Sequence, residues 1–158
     1  MQYLFMAAFA AVIVAADQLS KLWVMENIPF QTQIPAIEGL FHLTHVHNYG
    51  AAWSSFQGMI WLFTLIFAVF TVAILWEFAT KKMGFTRLER WCIAAVYGGG
   101  LGNMIDRLRL GYVVDMIEVE FISFPVFNVA DCFITCGCIL LLIHLMFFNK
   151  EFWKDDKK

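Results

Sequence analysis

The chain has 158 residues, of which 61% are hydrophobic and 15% are charged, and its formal net charge is -2. This composition excludes an ordinary soluble domain and is typical of a membrane protein, so we expect one integral membrane domain over residues 1–158 and no nucleic-acid partner. Between Glu38 and Glu77 the chain has no Asp, Glu, Lys or Arg.

Four apolar segments are long enough to cross a bilayer as helices, which takes about 20 residues each. We predict helices at residues 3–25, 59–80, 88–108 and 128–149, so the fold class is a mainly α-helical membrane protein with four transmembrane helices. The first segment lacks a basic start and carries Asp17 and Lys21 in place of a clean cleavage site. We therefore expect it to be retained as a helix.

Lysine and arginine are concentrated in two segments, and this distribution indicates the orientation of the helices. The segments are the link between the second and third helices and the C-terminal tail, with Lys81, Lys82, Arg87, Arg90, Lys150, Lys154, Lys157 and Lys158. Because cytoplasmic segments of membrane proteins are enriched in Lys and Arg, we expect both termini to face the cytoplasm. Residues 26–58 and 109–127 then form outward loops.

Short stretches in the two outward loops predict strands. Residues 40–46 are apolar and partly alternating, and residues 117–121 alternate cleanly between apolar and charged side chains. Since unpaired strand edges are unstable in lipid, we expect a small extracytoplasmic β-sheet and loops over the outer face. Pairing between the two loops is one way to form this sheet, and Pro125 is expected to end the second strand.

Charged side chains inside the predicted helices gather near the outer end of the bundle. Asp17 and Lys21 are four residues apart, which puts them on one helix face. Asn103, Asp106 and Arg107 share a face of the third helix in the same way. Buried charges in membranes usually persist as pairs, so Asp17 with Lys21, and Asp106 with Arg107, are interpreted as structural ion pairs.

Asp115 and Asp131 differ from these residues because no basic residue is close to either of them in the sequence. Two carboxyl groups within hydrogen-bonding reach share one proton, which leaves the other group free to act as a base. Such a pair would hydrolyse a peptide bond with no metal and no cofactor. The alternative is a helix N-terminal carboxylate at Asp131 and a turn residue at Asp115. Spacing alone leaves both possibilities open.

Five short motifs occur in order over nearly the whole chain. They are Asp17-x3-Lys21, Asn48-Tyr49-Gly50-Ala51-Ala52-Trp53, Gly102-Asn103-x2-Asp106-Arg107, Val113-Val114-Asp115 and Phe127-Asn128-Val129-Ala130-Asp131. With these motifs the chain resembles the lipoprotein signal peptidase family, signal peptidase II. The resemblance implies a multi-pass aspartic endopeptidase of the bacterial inner membrane, which cuts diacylglyceryl-modified prolipoproteins just before the lipid-modified cysteine. It also implies contact with membrane lipids and inhibition by the cyclic peptide globomycin.

The resemblance assigns roles to individual residues. It makes Asp115 and Asp131 the catalytic pair, with the active site near the outer face of the membrane. Six further residues would support the site or the substrate: Asn48, Gly50, Asn103, Arg107, Asn128 and Ala130. Asp17, Lys21 and Asp106 remain structural ion-pair residues. One departure is Trp53, where the family usually has Phe, and it affects only the expected shape of the first outer loop.

A zinc-dependent membrane protease is one rival interpretation. His45 and His47 would share a face of a strand and could bind zinc, with Asp115 as a third ligand. Against it, the chain has no His-Glu-x-x-His sequence. A histidine-rich outer strand is also adequately explained as a polar interfacial surface.

A small proton-coupled carrier is the second rival. Asp17, Asp106 and Asp131 could form a proton relay through a helix bundle. Such a relay extends across the membrane, whereas the ionisable groups here gather at the outer end. The inner halves of the helices offer only His144 and two glutamates that we expect to be interfacial, Glu77 and Glu89.

The four cysteines lie within predicted helices, and we expect them to be free thiols. They are Cys92, Cys132, Cys136 and Cys138. The spacing Cys132-x3-Cys136-x-Cys138 does not match a structural zinc site. Small apolar positions in a helix bundle are an ordinary use of cysteine.

Overall fold

The computed structural model describes residues 1–51, 55–150 and 152. Within these ranges the chain forms four helices and three strands: α1 (Gln2–Asn27), β1 (Gln33–Ile37), β2 (Phe41–Asn48), α2 (Ile60–Thr80), α3 (Arg87–Leu110), β3 (Val113–Val119) and α4 (Val129–Phe147). The four predicted helices are confirmed. Two residues of the first outer motif, Ala52 and Trp53, lie outside the described ranges.

Local side chains explain where α3 and α4 begin and end. In α3 the hydroxyl of Thr86 accepts from the backbone N–H of Glu89, whose carboxylate accepts from the N–H of Thr86. Asn128 and Asp131 form the same reciprocal capping box at the start of α4. Each box satisfies backbone donors that have no partner within the helix. Gly111 ends α3 with a φ of 83°, a left-handed conformation that favours glycine.

Helix α3 runs through the middle of the bundle and contacts the other three helices. Two glycines allow the close approach: a Cβ on Gly98 would crowd the backbone of Ala10 in α1, and one on Gly99 would collide with the carbonyl oxygen of Ala130 in α4. Small residues at helix contacts let backbones pack closely, which drives association inside a membrane. The glycines therefore allow α1 and α4 to pack closely against α3.

Three of the described helices, α1, α2 and α4, are long and apolar enough to cross a bilayer. Helix α3 has 24 residues, which is also sufficient length, but it is more polar than the others. Its central position explains this difference, since neighbouring helices cover its polar side chains from lipid. The mainly helical membrane fold predicted from the sequence is confirmed.

The strands form one antiparallel sheet in the order β1-β2-β3. Strands β2 and β3 come from the two outer loops, so the predicted pairing between these loops is confirmed. One part of the sheet packs against the end of α1 through a buried cluster of Val24, Ile28, Val114 and Met116. This cluster attaches the sheet to the helix bundle.

The strand bounds differ from the prediction at β3 and β1. Strand β3 begins at Val113 and ends at Val119, so Asp115 lies within a strand and not in a loop. The first four residues of β3 are all buried, so they do not alternate between apolar and polar side chains. Alternation in the sequence therefore missed the start of this strand. Strand β1 was not predicted, since all five of its residues are exposed and its central residue is Pro35.

A second polar cluster lies at the opposite end of α3 from Asn103 and Asp106. Glu89 is fully buried: its Oε1 lies 2.8 Å from Nδ1 of His144, and its Oε2 accepts from the side-chain amide of Asn149 at 2.7 Å. Glu77 is also buried. Helix packing and the α2–α3 link cover both glutamates, and their location at the membrane interface stays a prediction. They join the ends of three helices.

Candidate active site

Lys21 is the centre of a buried ion cluster between α1 and α3. Its Nζ lies 2.8 Å from Asp17 Oδ2 and 2.9 Å from Asp106 Oδ2, and all three residues are almost completely buried. The predicted pair of Asp17 with Lys21 is confirmed. The predicted pair of Asp106 with Arg107 is wrong, since adjacent residues of a helix point in different directions and cannot face each other.

The ion cluster also positions the start of α4. Asp17 Oδ1 accepts a hydrogen bond from the backbone N–H of Ala130 at 3.0 Å. Gly102 leaves room for this arrangement, because a Cβ there would collide with the Asp17 carboxylate. Asp106 Oδ2 accepts from the N–H of Val114 in β3. Two carboxylates of the cluster thus hold the two segments that carry Asp131 and Asp115.

Asp115 is a buried carboxyl group held by two side-chain amides. Asn48 donates to its Oδ2 at 2.9 Å, and Asn128 donates to its Oδ1 at 2.7 Å. Burial raises the pKa of Asp115 to about 7, and the nearby Asp131 carboxylate contributes in the same direction, against the hydrogen bonds from the two asparagines. Asp115 therefore changes its charge near neutral pH.

Asp131 is held in the first turn of α4 by its own capping box and by α3. Its Oδ2 accepts from the backbone N–H of Asn128 at 3.2 Å, and its Oδ1 accepts from the side chain of Asn103 at 2.8 Å. The Asn128 side chain that caps Asp131 also donates to Asp115. One residue thus contacts both carboxyl groups, which brings them into the same site.

Asn103 links the ion cluster to Asp131. Its Oδ1 accepts from Lys21 Nζ at 2.9 Å and from Asn128 at 3.1 Å, while its Nδ2 donates to Asp131. This leaves the Asn103 amide only one orientation that satisfies its partners. A donor of fixed direction therefore points at one oxygen of Asp131.

Arg107 attaches the first outer loop to α3. Its guanidinium donates to the carbonyl oxygen of Gly50 at 2.8 Å and lies 4.2 Å from the ring centre of Phe63 in α2. The N–H of Gly50 donates to Asn48 Oδ1, and a side chain on Gly50 would collide with the carbonyl of Ser55. Arg107 and Gly50 therefore orient the loop that follows Asn48, the last residue of β2.

The two aspartates line one cavity of about 690 Å³ that opens beside α3. Apolar side chains form most of its wall, among them Phe63, Phe67 and Phe70 of α2 and Ile134 of α4. Asn48, Asn103 and Arg107 line the same cavity. An extended or apolar ligand in this space would contact both carboxyl groups.

The sequence profile described as Signal peptidase (SPase) II matches residues 9–147 of the chain. The chain belongs to the signal peptidase II family. Two relatives named Lipoprotein signal peptidase illustrate the similarity. That of Streptococcus agalactiae serotype Ia is 42% identical over 91% of this chain and 88% of the relative. That of Clostridioides difficile strain 630 is 41% identical over 88% of this chain and 93% of the relative.

Two solved structures share the fold of this signal peptidase II family member. One is described as "Bacterial membrane enzyme structure by the in meso method at 2.3 A resolution", with a TM-score of 0.82 and 28% identity over 98% of this chain and 92% of that chain. A second, described in the same words at 1.9 A, has a TM-score of 0.78 and 29% identity, with 92% of each chain covered. The family predicted from the sequence motifs is confirmed, and the chain is a membrane-embedded protease.

The histidines of β2 lie apart from the aspartates of this signal peptidase II fold. Nε2 of His45 and Nε2 of His47 are 3.2 Å apart, so the two rings share a face as predicted. Asp115 pairs with Val46, which puts its side chain on the other face of the sheet, where it meets Asn48. Among the described residues no group of three or more His, Cys, Asp or Glu is arranged to hold a metal ion. The predicted third zinc ligand is therefore not available.

Two residues of the site were missed in the sequence. Gln18 donates to Asp106 Oδ1 at 2.8 Å and to the carbonyl of Gly102 at 3.2 Å, which ties α1 to α3. Phe63 stacks below Arg107. Gln18 could have been found as a polar neighbour of Asp17 within an apolar run, whereas Phe63 is one of many aromatic residues and carries no sequence signal.

Proposed function

We propose that this signal peptidase II family member is an aspartic endopeptidase that removes the signal peptide from diacylglyceryl-modified prolipoproteins. Asp115 and Asp131 would be the catalytic pair, and the cut would fall just N-terminal to the lipid-modified cysteine. The observation that carries the proposal is Asn128, whose backbone contacts one carboxyl group and whose side chain contacts the other, at the wall of one cavity.

The pair would work with a single proton. Asp115 is protonated below about pH 7, so it can donate, while Asp131 accepts two hydrogen bonds as a carboxylate does. Asp131 takes a proton from a water molecule, and the water oxygen attacks the scissile carbonyl carbon. Asp115 gives its proton to the carbonyl oxygen. When the C–N bond breaks, Asp131 returns its proton to the leaving nitrogen and Asp115 recovers one from the tetrahedral hydroxyl.

The cavity suits a substrate that is both peptide and lipid. One part of its wall has the two aspartates with Asn48 and Arg107, and apolar side chains of α2 and α4 form another part. A peptide bond beside the aspartates would leave attached acyl chains beside α2 and α4, where they remain in an apolar environment. This arrangement favours a lipid-modified precursor over an unmodified one.

The proposed location is the bacterial inner (cytoplasmic) membrane, with both termini in the cytoplasm. The basic residues of the α2–α3 link, Lys81 and Lys82, support this orientation. The active site would then lie near the outer face. Reporter fusions to residues 84 and 120 test the orientation: only the fusion at 84 should be active as a cytoplasmic reporter, and the reverse result would contradict it.

One assay tests the proposed reaction. Purified protein in detergent or liposomes is incubated with a diacylglyceryl-modified precursor and with the same precursor lacking the lipid, both in the presence of a chelator. We expect cleavage of the modified precursor alone, with a new N-terminus at the lipidated cysteine by mass spectrometry. Equal cleavage of both precursors would contradict the substrate, and loss of activity with the chelator would contradict the metal-free mechanism.

Globomycin provides an independent check on the same site. The family resemblance led us to expect inhibition, and we propose that the cyclic peptide occupies the cavity of Asp115 and Asp131. Thermal unfolding should shift upwards when globomycin is added to the purified protein, because a ligand that binds only the folded state stabilises it. An unchanged melting temperature at a concentration that blocks cleavage would show that globomycin does not bind the folded protein, contrary to this proposal.

A further inference from the structure

Two free thiols line the same cavity as Asp131. Cys132 and Cys136 are four residues apart on α4; Cys132 is partly buried and Cys136 is exposed, whereas Cys92 is buried. We propose that Cys132 and Cys136 form a covalent modification site for lipophilic electrophiles, and that modification blocks the substrate cavity. The effect on cleavage rests on the proposed function, while the modification itself does not.

The helical spacing explains why these two thiols face the cavity together. Residues four apart on a helix lie on one face, so Asp131, Cys132, Thr135 and Cys136 form one strip of the cavity wall. Cys138 lies six residues beyond Cys132, which turns it about 120° away around the helix axis, and it does not line the cavity. The chain thus contains two cavity thiols and two matched thiols outside the cavity.

Cys132 follows Asp131 directly in α4, and both residues line the cavity. Most of the remaining cavity wall is apolar, with Phe67, Phe70 and Ile134 among its residues. An electrophile that carries an alkyl chain would therefore partition into the cavity from the membrane.

The chemical class of ligand is an α,β-unsaturated carbonyl compound with an alkyl tail. In the addition, a bond forms between Sγ and the β-carbon while the carbon–carbon π bond breaks. The thiol proton ends on the α-carbon. No oxidant, leaving group or further reactant is required, so an N-alkylmaleimide serves as a probe of the same chemistry. The adduct would occupy the space that the acyl chains of a substrate need.

Site-specific labelling is the first test. The full chain in liposomes is treated with N-dodecylmaleimide at a limiting concentration, digested and examined by mass spectrometry. We expect the adduct on Cys132 or Cys136 at least tenfold more often than on Cys92 or Cys138, and a lower yield when globomycin or lipidated precursor is present. Equal labelling of all four thiols, or labelling confined to Cys138, would overturn the proposal.

Cleavage after labelling is the second test, and each variant is compared with its own untreated activity. The C92A/C138A variant should lose at least nine-tenths of its cleavage, whereas the C132A/C136A variant should keep most of it. Full retention in the C92A/C138A variant, despite a confirmed adduct on Cys132 or Cys136, would refute the block. An untreated wild-type chain that does not cleave the precursor would instead refute the proposed function.

Discussion

Helices α3 and α4 both begin with a capping box, yet the acidic residue of each box lies in a different environment. In α3, Glu89 is sealed from solvent, and its oxygens are occupied by His144, Asn149 and the N–H of Thr86. In α4, the side chain of Asp131 lines a cavity of about 690 Å³. The same local motif therefore forms a structural joint at one end of the bundle and a chemically available carboxylate at the other.

The comparison shows which feature separates a structural acid from a candidate catalytic acid. Both acids accept hydrogen bonds, but Glu89 is fully buried, whereas Asp131 is only partly buried. Asp131 differs because its partners are neutral amides and because a second carboxyl group, Asp115, contacts the same asparagine. Access to the cavity and a nearby acid, and not burial alone, indicate the chemistry.

Replacing Asp131 or Asp115, with Glu89 as the control, should give the largest difference in cleavage. We expect D131N, and equally D115N, to lower cleavage of a lipidated precursor by about 10²–10⁴-fold, as loss of an acid–base group typically does. The matched E89Q variant should retain cleavage within a few-fold once corrected for folded protein. Turnover by D131N or D115N near the wild-type rate would remove that residue from the mechanism.

Removing Lys21, the cation of the buried ion cluster between α1 and α3, should have the largest effect on stability. K21M leaves Asp17 and Asp106 without their ion-pair partner, and we expect a loss of about 3–5 kcal/mol in unfolding free energy. Thermal unfolding in detergent measures it. Adding D106N to K21M should recover part of the loss because one uncompensated charge is removed. An unchanged melting temperature for K21M would contradict the ion-pair assignment.

Substitution of Glu89, in the second polar cluster, should lower the free energy of unfolding and leave cleavage nearly unchanged. E89Q replaces a carboxylate that bonds to His144 and Asn149, so we expect a loss of roughly 1–3 kcal/mol, the usual penalty for an unsatisfied buried group. The melting temperature in detergent reports the change. An E89Q variant that is as stable as wild type but does not cleave the precursor would show that Glu89 acts in catalysis and is not only a structural acid.

The pH dependence of cleavage tests whether Asp115 donates a proton in the reaction. Asp115 has a pKa raised to about 7, so the proton it would donate is present below pH 7 and lost above it. We expect kcat/KM to fall about tenfold per pH unit above this value. The folded state also binds this proton more readily than the unfolded chain, so the contribution of Asp115 to stability decreases from about pH 4 to 7.

Substitution of Asn48 tests whether the fall of kcat/KM above pH 7, the alkaline limb of the pH profile, reports the ionisation of Asp115. The hydrogen bond from Asn48 lowers the pKa of Asp115, so its loss in N48A should move the alkaline limb to higher pH. E89Q serves as the control, with an unchanged profile. A limb that stays in place in N48A, or that moves to lower pH, would assign it to another group.

The helices and the family could be predicted from the sequence because their signals are local or ordered along the chain. Runs of about 20 apolar residues predict spanning helices wherever they occur, and five motifs in a fixed order identify the family. The helix ends agree because Thr86 and Asn128 cap the residues that follow them. The Asp17–Lys21 pair was predictable for the same reason, since both residues lie on one helix.

The partners of residues on different elements could not be predicted in this way. Asp106 was assigned to its neighbour Arg107, whereas its charge is neutralised by Lys21 on another helix, and the contacts of Glu89 with His144 and Asn149 were not predicted. Such contacts depend on how closely helices pack, which glycines such as Gly98 and Gly99 allow but do not specify. Sequence spacing contains no distance between separate helices.

By itself the sequence determined that this protein is embedded in a membrane, which segments form its helices, and which family it belongs to, because these properties follow from composition and from short ordered patterns. Only the tertiary structure decided that Asp115 lies on a strand and that Asn128 contacts both acids. It also separated His45 and His47 from Asp115 by the alternation of side chains along β2. The physical reason is that a shared proton, a cavity wall or a ligand set depends on distances between chain segments that packing alone establishes.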